Sequence, residues 1–137
     1  MSDNDFHIHL YGRSPGDLPP QGQRTNPIPT SFEEAQQRLL ERMPEMLFEP
    51  DGSFAWASVK HQLVGMIYDA GGQIQYVELR GHCAPQQLRD LIETLAGSPQ
   101  IDEFAVMVLP NRQWKIFHTF EKSVPSEDST SANNPSH

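Results

Sequence analysis

Gly71 and Gly72, adjoining glycines in the middle of the chain, constrain its fold more than any other feature. They divide residues 63–81, LVGMIYDAGGQIQYVELRG, into two runs rich in Val, Ile, Leu and Tyr. Such side chains suit a pleated, half-buried surface. Ala70-Gly71-Gly72 supplies the positive φ that a short hairpin loop needs. The spacing predicts two antiparallel strands in which Asp69 faces Gln73, Gly65 faces Val77 and Val64 faces Glu78. Val77 and Leu79 then point to one side, and Ile74, Tyr76, Glu78 and Arg80 to the other. The second side begins apolar and ends charged, so one end of it is expected to lie uncovered.

Around this hairpin the apolar residues are unevenly spread. Hydrophobic residues make up 36% of 137, and the deficit sits in two tails, which leaves enough for one core. Residues 1–11 contain the alternating run DFHIHLY, expected as a short strand at a sheet edge. Residues 12–30 hold five of the chain's 12 prolines and almost no large apolar side chain, the composition of an extended linker. Residues 31–122 carry the periodic segments of a single domain. Residues 123–137 are Ser, Asn, Pro and acid without an aromatic ring, and are expected to be disordered.

Within 31–122, Phe32, Ala35, Leu39 and Met43 follow helical spacing up to Pro44, behind a Ser31/Glu34 or Thr30/Glu33 capping box. A short strand or stub at Leu47-Phe48 and a strand at 54–59 precede the hairpin. Pro85, Leu88, Leu91, Ile92 and Leu95, then Gly97, mark a second helix with its start and stop residues. Residues 103–109 read as a central strand and 114–120 as a last, alternating one. The fold expected is a two-layer α+β domain: a mainly antiparallel sheet covered by two helices in the order α-β-β-β-α-β-β.

Net charge is −8 overall and −5 over 31–122, where 13 acids meet 8 bases. Phosphate contacts demand a basic surplus, so no nucleic-acid partner is expected, and no anionic membrane surface either. The single cysteine, Cys83, permits no intrachain disulfide, and the first ten residues lack a leader's basic and apolar regions. A cytoplasmic setting is the expectation.

Three constellations bear on chemistry. Val77-Glu78-Leu79-Arg80, downstream of Asp69, resembles the Asp…(Asp/Glu)-x-Lys signature of restriction-endonuclease-like nucleases, and the run helix, three strands, helix, strand is similar to their core. That resemblance implies two carboxylates around a divalent cation with Arg80 in the lysine's place. On the register above, Asp69 lies five residues, about 16 Å, from the position opposite Glu78, too far to share an ion. His82-Cys83-x5-Arg89 resembles the signature of cysteine-dependent phosphatases, which implies a thiolate at a helix N-terminus and an Arg clamp on phosphate. Its loop has no glycine, and Pro85 removes a donor from the cradle. His7-x-His9 places two imidazoles on one face of a strand, but a metal needs a third ligand and the spacing elsewhere offers none. No metal or cofactor is therefore expected.

Phe54, Trp56, Trp114, Phe117 and Phe120 are expected in the core. The weak catalytic candidates are Cys83, Arg89, Glu78 and Arg80, and no catalytic set is complete. A small non-enzymatic domain is the preferred reading. It binds another protein, or a second copy of itself, through Tyr76, Glu78 and Arg80 on the uncovered sheet face.

Overall fold

The computed structural model describes residues 5–14 and 25–125. Along the chain run β1 (Phe6–Arg13), α1 (Phe32–Arg42), β2 (Leu47–Phe48), β3 (Ser53–Ala57), β4 (Gln62–Ala70) and β5 (Gln73–His82). Then come α2 (Pro85–Ala96), β6 (Phe104–Val108), β7 (Gln113–Ile116) and α3 (Phe117–Ser123). The strands form one sheet in the order β2-β3-β4-β5-β1-β6-β7, every neighbouring pair antiparallel. The expected α+β class holds, with a third helix added.

One core lies between a single face of the sheet and the helices. From the sheet it takes Ile8, Leu10, Phe54, Trp56, Leu63, Ile67, Ile74, Val77, Leu79 and Val106. The helices supply Ala35, Leu39, Leu88, Leu91, Ile92, Leu95, Phe117 and Phe120. Helix α1 starts where the Ser31 hydroxyl accepts the Glu34 N–H at 3.1 Å, so Ser31 rather than Thr30 is the cap. Helix α2 starts at Pro85 and stops at Gly97 in the left-handed conformation, as its sequence signals. Arg38 of α1 donates to the Thr94 and Leu95 carbonyls at 2.9 and 2.7 Å, tying the first helix to the open end of the second.

The hairpin forms, but its register differs from the one expected. Gly71 and Gly72 both have positive φ and make a two-residue turn closed by Ala70 opposite Gln73. Asp69 then pairs with Ile74, and Tyr68 with Tyr76, which leaves Gln75 as an extra residue bulged out of β5. Glu78 consequently faces Met66, and Val64 faces Arg80. The bulge also corrects the side assigned to Ile74. Two residues three apart cannot share a face of a regular strand, yet Ile74 and Val77 are both fully buried in the same core.

Strand β1 is not an edge strand. It is hydrogen-bonded between β5 and β6, with Ile8 and Leu10 fully buried. Alternation reports one covered face, and an interior strand of a sheet covered on one side shows the same pattern as an edge. The β5–α2–β6 connection crosses over β1, so β5 and β6 run parallel with β1 in the slot between them. Strand β6 is therefore the last but one, not central. The segment 114–120 divides into β7 and α3: Phe117, Phe120 and Val124 are all buried at helical spacing of three and seven. The end of the proline-rich segment is also docked, since Ile28 is fully buried and bridges to Ile74. The rest of that segment, 15–24, and the tail beyond 125 lie outside the described residues.

Candidate functional site

The opposite face of the sheet carries no helix among the described residues. Residues paired across antiparallel strands point the same way, so the register places His9, Glu78, Met66, Met107 and Trp114 together on it. His7, Arg80, Val64 and Ala55 join them. Tyr76, Glu78 and Arg80, the residues expected on an uncovered surface, share this face.

Aromatic rings form a row across it. Tyr68 stacks on Tyr76 with centroids 4.6 Å apart, Tyr76 on Tyr11 at 5.2 Å, and Tyr11 leans on Trp114 at 5.5 Å. The row thus spans β4, β5, β1 and β7. Tyr68 is exposed and the other three are half-buried. Partial burial raises the Tyr76 hydroxyl's pKa, with help from Tyr68 and Glu78, and burial with Tyr76 raises that of Tyr11. Both phenols therefore stay protonated and can donate hydrogen bonds. Trp114 was expected in the core and instead ends this row.

Beside the row sits a cluster the sequence reading did not assemble. Glu78 pairs directly with His9 across β1 and β5, and His7 lies one alternate position along. The Glu78 Oε2 atom is 2.5 Å from His7 Nε2 and 3.9 Å from His9 Nε2. The ligand-capable atoms of the three residues all lie within 4.8 Å of one another. The His9 ring also packs against Tyr76 at 5.0 Å. Burial lowers the His9 pKa; Glu78 opposes this, while His7 and Arg112 add to it. A third group able to ligate, missing from the linear spacing, is thus supplied by a neighbouring strand. The available signal was the shared alternation of His7, His9, Tyr11 and of Tyr76, Glu78, Arg80, readable only once β1 was placed beside β5.

The nuclease-like carboxylate pair is not brought together. Asp69 pairs with Ile74, whose side chain is in the core, so Asp69 is on the face opposite Glu78 and three pairs away along β4. The phosphatase-like pair is committed elsewhere. Cys83 is buried and its thiol is pushed up to about 12 by that burial, the reverse of what a thiolate nucleophile needs. The Arg89 guanidinium donates to both Glu121 oxygens at 2.9 and 2.8 Å and to Asp102 at 2.5 Å, which raises its pKa and lowers that of Asp102. Arg89 therefore fastens α2 to α3 and to the loop before β6.

Three depressions open on or beside the face, one of them, about 390 Å³, lined by Asp5, Ala55, Val64 and Arg80 among others. A shallow one of about 170 Å³ is lined by Val64, Gly65, Met66, Glu78 and Arg80. A groove of about 460 Å³ at the end of the sheet runs from His7 and Arg80 to Phe6, Val108 and Phe120. None is a deep, enclosed cavity of the kind that swallows a small substrate.

Among the described residues, fold and face together define an α+β domain with one helix-covered and one open sheet surface. No family model, curated protein or solved structure matches the chain. No helix among the described residues is long and apolar enough to cross a membrane.

Proposed function

We propose that the chain is a non-enzymatic binding domain whose open sheet face docks on another protein. The observation that carries this reading is the four-ring row Tyr68, Tyr76, Tyr11 and Trp114 lying along an uncovered sheet. Aromatic side chains with a polar tip are the residues that anchor protein interfaces. Val64, 46% exposed on the same face, adds apolar surface that water solvates poorly. Seven strands about 4.8 Å apart make a face about 30 Å wide. With strands of 2 to 10 residues rising about 3.3 Å per residue, the face projects to about 700 Å², close to the ~800 Å² each partner contributes to a standard interface.

The net charge of −8 selects the kind of partner. Two copies of an acidic chain repel, whereas a partner with a basic surface is steered toward it. The partner proposed is accordingly a folded protein of net positive charge.

Affinity capture with the full chain as bait tests this, comparing wild type with Tyr76→Lys and Val64→Lys on the face, which repel a basic partner, and with Glu41→Lys on α1. Circular dichroism of each variant checks folding. The expected result is a basic protein retained by wild type and Glu41→Lys, lost from both face variants and released by added salt. Retention by the face variants overturns the reading. So does a concentration-dependent doubling of mass in sedimentation, which would make the occupant a second copy.

A further inference from the structure

We propose that His7, His9 and Glu78 bind one divalent late transition-metal ion of the zinc class, leaving a coordination position open to solvent. This goes beyond the docking reading and does not depend on it. The donor set is two imidazoles and one carboxylate, with no sulfur, a combination suited to zinc and its neighbours rather than to magnesium or calcium. A tetrahedral ion with bonds of about 2.0–2.2 Å holds its ligand atoms about 3.4 Å apart. The distances from Glu78 Oε2 to the two imidazole Nε2 atoms, 2.5 and 3.9 Å, bracket that value. Only small side-chain shifts are needed to close the three groups on an ion.

The backbone beneath is held on both sides. Strands β5 and β1 are the fourth and fifth of seven, so neither is free to move away from the other. One pair in register and one alternate position fix the three Cβ directions toward a common point. The side chains are 33%, 24% and 30% exposed in the order His7, His9, Glu78, which leaves one side of the cluster open to an arriving ion and its water. Nε2 of His7 and Oε2 of Glu78 share a hydrogen bond. Ligation replaces that proton. His7 takes the tautomer with hydrogen on Nδ1, and its Nε2 lone pair turns to the metal.

A second cluster shows what sets this one apart. Asp102, His118 and Glu121 also bring their ligand atoms within 4.8 Å of one another. There, however, Arg89 is inserted and hydrogen-bonds both carboxylates, so a fixed cation already occupies the position. At Glu78 the ion-pair partners among the described residues are His7 and His9 alone. Their imidazoles can serve as neutral ligands, which a guanidinium cannot.

The test uses the untagged full chain and Zn²⁺, titrated against a chromophoric chelator, with Co²⁺ absorption as a second readout. One Zn²⁺ per chain is expected. His9→Gln and Glu78→Gln each weaken it at least about tenfold, the scale seen when groups that support a metal site are removed. His118→Gln leaves it unchanged. Nitrogen-15 shifts on the wild-type chain make the test independent of any variant's folding: zinc should move Nε2 of both His7 and His9. The proposal is overturned by unmoved shifts, by equal binding in Glu78→Gln, or by a loss that follows His118→Gln.

Discussion

Gly65 is the position at which a single methyl group should reveal how tightly the sheet and core are matched. It faces Phe54 across β3 and β4, on the covered side. A Cβ added there would lie 2.3, 2.7 and 2.8 Å from the Cζ, Cε2 and Cε1 atoms of the Phe54 ring. That ring is 3% exposed and packs against Phe48 at 5.4 Å, so it has little room to swing. Replacing a strand glycine by alanine would by itself add up to about 1 kcal/mol of stability, because the unfolded chain loses freedom. Overpacking a filled core costs about 1–3 kcal/mol. The clash wins, and Gly65→Ala should destabilise by about 1–2 kcal/mol. Urea unfolding followed by the fluorescence of Trp56 and Trp114 reads this as a midpoint lowered by about 0.5–1 M. In a Phe54→Leu background the ring is gone and the same substitution should cost nothing, a coupling of about 1–2 kcal/mol. A Gly65→Ala midpoint at or above wild type would refute the packing argument.

Cys83 should react with no thiol reagent in the native state and with one equivalent after unfolding, measured by a chromogenic disulfide. Its folded pKa, about 12, exceeds the 9.0 of a free thiol, so the folded chain holds the proton more tightly. The stability this contributes is complete below pH 9 and is lost as pH rises toward 12; Cys83→Ala should flatten that decline in denaturation midpoints. Arg89→Met leaves Glu121, 18% exposed, without its hydrogen-bonded cation and should cost about 1–2 kcal/mol in urea unfolding. Phe117→Ala empties a fully buried site at the first turn of α3 and should cost about 3–5 kcal/mol by the same assay. A value near zero would place the ring outside the core.

The parts of the fold legible in the sequence are those fixed by local rules. Helix α2 carried its own start at Pro85, its stripe of leucines and its stop at Gly97, and it runs between those marks. The hairpin was legible from Gly71-Gly72, but its register was not. Bulging of Gln75 is decided by the core, which gains Ile74 as well as Val77, and no local pattern announces that gain. The alternation of 114–120 predicts a strand because Trp114, Ile116, His118 and Phe120 fall two apart. Phe117 and Phe120 are equally well spaced for a helix, and burial of Phe117 settled the competition.

The candidate site was illegible for a different reason. Its halves are about seventy residues apart and meet because β1 enters a slot that β5, α2 and β6 leave open. Nothing in DFHIHLY distinguishes a strand that closes a sheet's interior from one that hangs on its edge. Had β1 stayed at an edge, His7 and His9 would be two solvent histidines, and Glu78 a carboxylate opposite Met66 with no partner from β1. Insertion makes three separate residues into one cluster and lengthens the tyrosine row by Tyr11 in the same step. The face suited to a partner and the cluster suited to an ion therefore share a single structural cause, the crossover of α2 above β1.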